Sequence, residues 1–275
     1  MGKIYQALER AEQGIAGQDN KIARFVQPQF ELSPDLVVLQ RPGSAIAEQF
    51  RFLRSKVIRP GAAGAPRTIL VTSSLQGEGK TFVSSNLAAT IAQGLDEHVL
   101  LVDADLRKPH VHGVFGIPDT EQGLSTYLKT QAPLSELLCK TGIEKLTVLP
   151  AGSSGDNPVE LLASQRMKEF ITEVRERYQD RVVIFDSPPM ELAPESLVMA
   201  NEVEGVFLVL KRAATPRDVV RSTLEKLNND RFLGVILNWD KQTSKLYKHY
   251  KGKKQGYGYG YGYGYGYGYG SQEKG

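Results

Sequence analysis

The chain has 275 residues, 41% of them hydrophobic, which suits one α/β domain of about 200 residues with appendages. Its 34 basic and 31 acidic side chains leave a formal charge of +3, too mild for nucleic acid to be the main partner, and its single cysteine, Cys139, excludes an internal disulfide or a thiolate metal site within one chain. No apolar run approaches the roughly 20 residues of a membrane-spanning helix and the first residues lack the apolar core of a signal peptide, so a cytoplasmic, at most peripheral, placement is expected.

Residues 1 to 13, MGKIYQALERAEQ, put Ile4, Tyr5, Leu8 and Ala11 on one side of a short helix, followed by a polar link that ends at Asn20. From Ser44 to Ile58, Ile46, Phe50, Leu53 and Val57 recur at i, i+4, i+7 and i+11, the spacing of a buried helical face. Glu48, Arg51 and Arg54 fall on the other side as an E-x-x-R-x-x-R row. That row is either a solvated face with a local ion pair or a surface for another molecule.

Thr68 to Thr81, TILVTSSLQGEGKT, is a β-branched strand that empties into a glycine-bearing loop ending in Lys-Thr, and Val83, Leu87 and Ile91 mark the helix behind it, with Gly94 placed to stop it. Strand, loop and helix in that order read as a phosphate-binding loop. Gly77 and Gly79 let backbone amides close on phosphate oxygens, Lys80 can reach the β and γ phosphates, and Thr81 can place its hydroxyl on magnesium. The match to GxxxxGK[ST] is incomplete, since Ser74 stands at the first glycine.

Val99 to Val102 form a buried strand that ends in Asp103-Ala104-Asp105-Leu106-Arg107. Carboxylates at i and i+2 of an extended chain share one side, and the carboxyl end of a parallel strand beside a phosphate loop is where a metal nucleotide binds. Residues 110 to 145 read as helical turns, including Pro133 to Lys140, with His110 and His112 as exposed loop residues. A strand at Leu146 to Leu149 precedes a helical stretch from Pro158 to Arg177. Val182 to Phe185 then close on Asp186, the pattern of a second magnesium-holding carboxylate. Strands at Gly205 to Leu210 and Leu233 to Leu237 flank a helix with Thr215 as N-cap and Pro216 at its first position. Asn238 is placed either to read an adenine edge or to form the turn before Trp239.

From Lys241 to Lys254 there are six lysines and no acid, and Tyr257, Tyr259, Tyr261, Tyr263, Tyr265, Tyr267 and Tyr269 alternate strictly with glycine. Such a segment cannot offset its ordering entropy and is expected to be disordered. The expected organisation is an N-terminal helix and linker at 1–20, a nucleotide-binding domain at 21–240 and a basic, Tyr-Gly-rich tail at 241–275. The fold class is α/β, a P-loop doubly wound and mostly parallel sheet flanked by helices, with that tail appended.

Five separated features, GEGKT, VLLVDADLR, VVIFDSPP, the E-x-x-R-x-x-R helix and the tyrosine tail, occur in the order found in the bacterial tyrosine kinases of capsule and exopolysaccharide synthesis, and over roughly residues 30 to 240 plus the tail the chain resembles that family. The opening MGKIYQALERAE is similar to members encoded apart from their membrane adaptor. Two departures stand out: Gln76 occupies the family's usual proline, and the Tyr-Gly alternation is more regular than a usual tyrosine cluster. The resemblance implies ATP and Mg2+, with Gly77, Glu78, Gly79, Lys80, Thr81, Phe82 and Asn238 around the nucleotide. It implies Thr81, Asp103, Asp105 and Asp186 around the metal, and Lys80, Asp103 and Asp105 as catalytic groups, with Asp103, nearer the strand, preferred over Asp105 as base. It further implies Glu48, Arg51 and Arg54 as the contact of a homo-oligomeric ring, an octamer, and the tail tyrosines as phosphoacceptors for neighbouring subunits. A membrane adaptor or polysaccharide co-polymerase and a tyrosine phosphatase are the implied partners, at the inner face of the plasma membrane. The alternative is a partitioning or positioning ATPase of the related deviant P-loop group. Those proteins carry a lysine where Leu75 stands and lack a tyrosine tail.

Overall fold

A computed structural model of the protein describes residues 32–58, 64–130, 132–153, 155, 157–177, 181–227 and 230–240. The chain divides into two units, residues 1–240 and 241–275, and every described residue belongs to the first. The expected helix at 1–13 and all seven tail tyrosines lie outside the described residues.

The described residues form a seven-stranded sheet of β1 (Thr68–Ser73), β2 (His98–Asp103), β3 (Cys139–Lys140), β4 (Leu146–Leu149), β5 (Arg181–Asp186), β6 (Gly205–Lys211) and β7 (Phe232–Asn238), in the order β3-β4-β2-β5-β1-β6-β7. Every pairing is parallel except the short edge strand β3, which runs antiparallel to β4. β1 and β5 are buried at each position, which is why they read as unbroken apolar runs rather than alternating ones.

Two apolar clusters cover the faces. On one, α2 (Ala45–Ile58) and α3 (Lys80–Ala92), beside the short α1 (Val37–Gln40), bury Ala47, Phe50, Val83, Leu87 and Ile91 against Val182 and Ile184 of β5. On the other, α5 (Leu124–Lys129), α8 (Gln165–Arg177) and α9 (Pro194–Ala200) bury Leu124, Phe170 and Met199 against Val183 and Phe185. Short helices α4 (Val111–Val114), α6 (Leu134–Leu137) and α7 (Pro158–Leu162), with α10 (Arg217–Lys226), complete the described set. The phosphate loop therefore leads to a helix on one face while the chain after β5 leads to a helix on the other. The crevice this opens between the carboxyl ends of β1 and β5 is the place where a doubly wound sheet binds ligands.

Four local expectations are corrected. Ile46 is exposed and Ala47 takes its place in the core with Phe50 and Val57, because a small residue there lets α2 seat closely on α3. Pro133 to Lys140 is not one helical turn: α6 ends at Leu137, and Cys139 and Lys140 pair with Val148 and Thr147. Pro158 to Arg177 breaks at Ala163-Ser164, where the Ser164 hydroxyl accepts the Met167 amide at 3.2 Å and restarts the helix. Thr215 does not cap α10, whose N-cap is Pro216, because its hydroxyl is taken by Glu78.

Candidate active site

Between β1 and α3 the chain reverses through Gly77 at φ 79° and Gly79 at φ 92°, a left-handed conformation that side chains other than glycine rarely adopt. At Gly79 there is also no room, since a Cβ would collide with the Asn238 amide. α3 starts on Gly79 with no side-chain cap, so its first amides are left for a ligand at the positive end of the helix. The loop is braced from behind. The Glu78 side chain is buried, and its carboxylate accepts the amides of Leu75 at 2.8 Å and Lys211 at 3.4 Å and the hydroxyl of Thr215. Of Glu78, only the backbone remains to face a phosphate. Asn238 accepts the Trp239 amide at 2.8 Å, as a turn residue would, and its Nδ2 donates to the Glu78 carbonyl at 2.9 Å, which ties β7 to the loop. Phe82 turns its ring onto α2, edge-on to Phe50 with centroids 5.8 Å apart.

The acidic strand ends meet this loop from the neighbouring strands. β2 and β5 pair Asp103 with Asp186, and β5 in turn pairs Asp186 with Val71 of β1, so parallel register alone brings both acids beside the loop. The Thr81 hydroxyl donates to Asp186 Oδ2 at 2.6 Å, and Lys80 Nζ stands 3.6 Å from Asp105 Oδ2. Both partners of that ion pair are buried. Burial first, then the facing Asp105, pushes Asp186 up to about 6, against the lowering pull of Lys80 and Thr81. Burial also raises Asp103 well above the usual carboxylate range, with the charges of Asp186 and Asp105 adding to it.

Asp103 and Asp105, two residues apart, do different work. Asp103 is fully buried, with Oδ1 accepting the Asp105 amide at 3.2 Å and Oδ2 those of His110 and Val111 at 3.1 and 3.0 Å. Its carboxylate shapes the loop. Among the described residues Asp105 accepts the Lys108 amide alone through Oδ1, at 3.1 Å, and points Oδ2 at Lys80.

Among the described residues no three His, Cys, Asp or Glu side chains form a metal site by themselves. A phosphate-loop site needs no such cluster, because the nucleotide's oxygens and water complete the shell of a magnesium ion. The residues here fit one: Asp186 Oδ1 is buried without a hydrogen-bond partner among the described residues, beside a hydroxyl of the right kind on Thr81, and burial raises the Asp186 carboxyl.

The E-x-x-R-x-x-R row is not gathered into this site. Arg51 pairs with Glu48 at 2.6 Å and donates to the Pro42 carbonyl at 2.7 Å, while Arg54 reaches back toward Glu97 at 3.9 Å. Two residues that pattern reading did not single out bear on the site, Arg107 and Glu195, and a third, Thr215, stands behind the loop instead of serving as the expected cap. No local signal marks them, since each works through a partner 88 or more residues away.

The protein family described as the AAA domain matches residues 66–208. The tyrosine-protein kinase YwqD of Bacillus subtilis is 31% identical over 225 residues, 81% of this chain and 93% of that protein. The kinase domain of the Escherichia coli tyrosine kinase Etk superposes with a TM-score of 0.69 at 26% identity, covering 94% of this chain and 98% of that one. A weaker likeness, with a TM-score of 0.52 and 26% identity over 64% of this chain and 71% of the other, is to the septum site-determining protein MinD of Pyrococcus horikoshii, solved with Mg-ADP. A phosphate loop opposed by two acidic strand ends, on a chain aligned with kinase relatives over four fifths of its length, places this protein in the bacterial tyrosine-protein kinase family.

Proposed function

We propose that this kinase uses ATP to phosphorylate the C-terminal tyrosines 257 to 269 of neighbouring copies of itself. The observation that carries the reading is the buried Lys80–Asp105 pair at the open N-terminus of α3, next to the Thr81–Asp186 contact. Lys80 and the free amides of the loop bind the β and γ phosphates. Thr81 and the Asp186 carboxylate would hold a magnesium ion, which would supply charge neutralisation at those phosphates. Once Lys80 has an anionic phosphate to pair with, Asp105 Oδ2 is released from it and becomes the base, in preference to Asp103, whose oxygens are engaged by three amides. A tyrosine hydroxyl has a pKa near 10, so its proton passes to Asp105 late, as the phenolic oxygen bonds to phosphorus and the bond to ADP breaks.

Glu48, Arg51 and Arg54 serve as the contact of a homo-oligomeric ring of eight subunits, within which one chain presents its tail to the next. A membrane adaptor at the inner face of the plasma membrane activates the enzyme, a tyrosine phosphatase reverses it, and the cycle regulates exopolysaccharide or capsule polymerisation and export. No helix among the described residues is long and apolar enough to cross a membrane.

The test is to mix a Lys80→Met chain, as acceptor only, with active protein lacking residues 256–275, supply labelled ATP, and map the label. Label on tail tyrosines of the Lys80→Met chain supports transfer between subunits. ATP hydrolysis without labelled tyrosine would replace the kinase reading with that of a positioning ATPase.

A further inference from the structure

We infer that Glu195 is a positioning residue for phosphoryl transfer, acting through Arg107 on the loop that carries Asp105; the inference rests on the kinase reading of that loop. Glu195 lies in the first turn of α9 and is 1% exposed. Its Oε1 accepts Nε of Arg107 at 3.1 Å and is ion-paired with Nη2 at 3.0 Å, while Oε2 has no hydrogen-bond partner among the described residues. A buried carboxylate with one oxygen unsatisfied is costly, and an apolar residue of similar volume would pack there at lower cost. What Glu195 supplies in return is a fixed place for Arg107, whose side chain is 38% exposed and which stands two residues beyond Asp105.

Besides the burial of Ala104 and Leu106 in the apolar core, the loop from Asp103 to His110 has polar fastenings of two kinds. The amides of Asp105, His110 and Val111 on Asp103, and that of Lys108 on Asp105, are local and set the loop's shape. They do not set where its tip stands against the phosphate loop. The strand ladder holds the start, through the Ala104 amide on the Asp186 carbonyl at 2.8 Å. Beyond that point Arg107 ties the tip to α9, and α9 is itself locked to the carboxyl ends of β1 and β5: the Pro188 carbonyl accepts the hydroxyls of Thr72 and Ser196, each at 2.9 Å, and the Met190 amide donates to Ser73 at 2.8 Å. Glu195 thereby refers the position of Asp105 to the same strand ends that hold Lys80, Thr81 and Asp186. A base displaced by a fraction of an ångström loses turnover without losing nucleotide affinity.

The experiment compares wild type with Glu195→Gln, Arg107→Gln and the double variant, in tail-deleted form, with the full-length Lys80→Met chain as acceptor. Each single variant is expected to lower kcat about 10-fold with KM for ATP within about 2-fold, and the double variant to be no slower than the slower single one, because both remove one linkage. Unchanged kcat in either single variant, single effects that multiply in the double, or a KM rise that accounts for the loss would overturn the inference. Arg107 is partly exposed, so Arg107→Gln keeps the test decisive should Glu195→Gln fold poorly. A wild-type enzyme that labels no tyrosine would overturn the kinase reading and this inference with it, whereas an active wild type with indifferent variants overturns this inference alone.

Discussion

The phosphate loop and helix α2 lie on the same face of the sheet and touch through Phe50 and Phe82, yet their polar groups are held in opposite ways. Around the loop, buried carboxylates meet partners distant in sequence: Glu78 holds Thr215, 137 residues on, and Thr81 holds Asp186, 105 residues on. On α2 the Glu48–Arg51 pair is one helical turn long, with side chains 51% and 42% exposed. A surface pair of this kind contributes about 0.2 to 1 kcal/mol, whereas breaking a buried, hydrogen-bonded arrangement leaves a stranded polar group that costs about 1 to 3 kcal/mol or more. The loop thus depends on the fold around it, while the row on α2 can change partners at little cost to its own domain. That is what a reversible subunit contact requires.

The largest expected effect is at Lys80. Lys80→Met removes the point charge facing the phosphates and should cut tyrosine phosphorylation by about 10²- to 10³-fold or more while the unfolding midpoint stays close to wild type. Near-normal labelling would break the contrast at its strongest point. Asp105→Asn should lower turnover about 10²-fold with ATP binding kept, since it removes a proton acceptor and not the phosphate contacts. Should Asp103→Asn instead reproduce that loss in a fully folded protein, the two acids would have to exchange roles.

Asp186 sharpens the comparison through pH. Its ordinary value of 3.8 is raised to about 6 in the fold, so between those values the folded chain keeps a proton that the unfolded chain has released. Stability therefore falls as pH rises through that window, and above about 6 the full deficit, at most roughly 3 kcal/mol, is present. Asp186→Asn should accordingly melt higher than wild type at pH 7.5 in the absence of nucleotide, show no such advantage near pH 4, and lose the stabilisation that magnesium and nucleotide bring to wild type. Melting curves of both proteins at the two pH values decide it, and a wild type more stable at pH 7.5 than its Asn variant would refute the assignment of an uncompensated carboxylate.

Thr215→Val keeps the shape but removes the hydroxyl from Glu78, and should cost about 1 to 3 kcal/mol in urea unfolding and raise KM for ATP. An unaltered urea midpoint would show that the brace carries no weight. The smallest effect on folding belongs to Glu48, Arg51 and Arg54 replaced together by alanine: stability should change by less than about 1 kcal/mol, while light scattering should show the ring reduced to smaller species. A mass that does not change would return the row to a solvated face.

Where the pattern reading succeeded and where it failed has one physical source. β1, β2 and β5, the helix behind Lys80 and the acids at two strand ends were legible because a doubly buried strand must be apolar throughout, and because glycines with positive φ, a helix N-terminus and a lysine within one turn make a phosphate site from a single short stretch. The seating of α2 was misread by one residue, since Ile46 and Ala47, about 100° apart on the helix, fall on either side of the direction of Phe50 and only the approach of α3 decides between them. Likewise Thr215 had the spacing of a cap, and nothing nearby announced that Glu78 would claim its hydroxyl.

Local chemistry thus marked a strand-to-helix turn of phosphate-loop type with carboxylates brought to it, because those demands fall on residues a few positions apart. Packing alone decided that Asp103 folds the loop while Asp105 meets Lys80, that the Glu78 carboxylate braces the loop from behind, and that Glu195 secures Arg107. In a parallel sheet, strands adjacent in space are separated in sequence by whole helices, so partners 88 to 137 residues apart find each other only through register and the twist of the sheet.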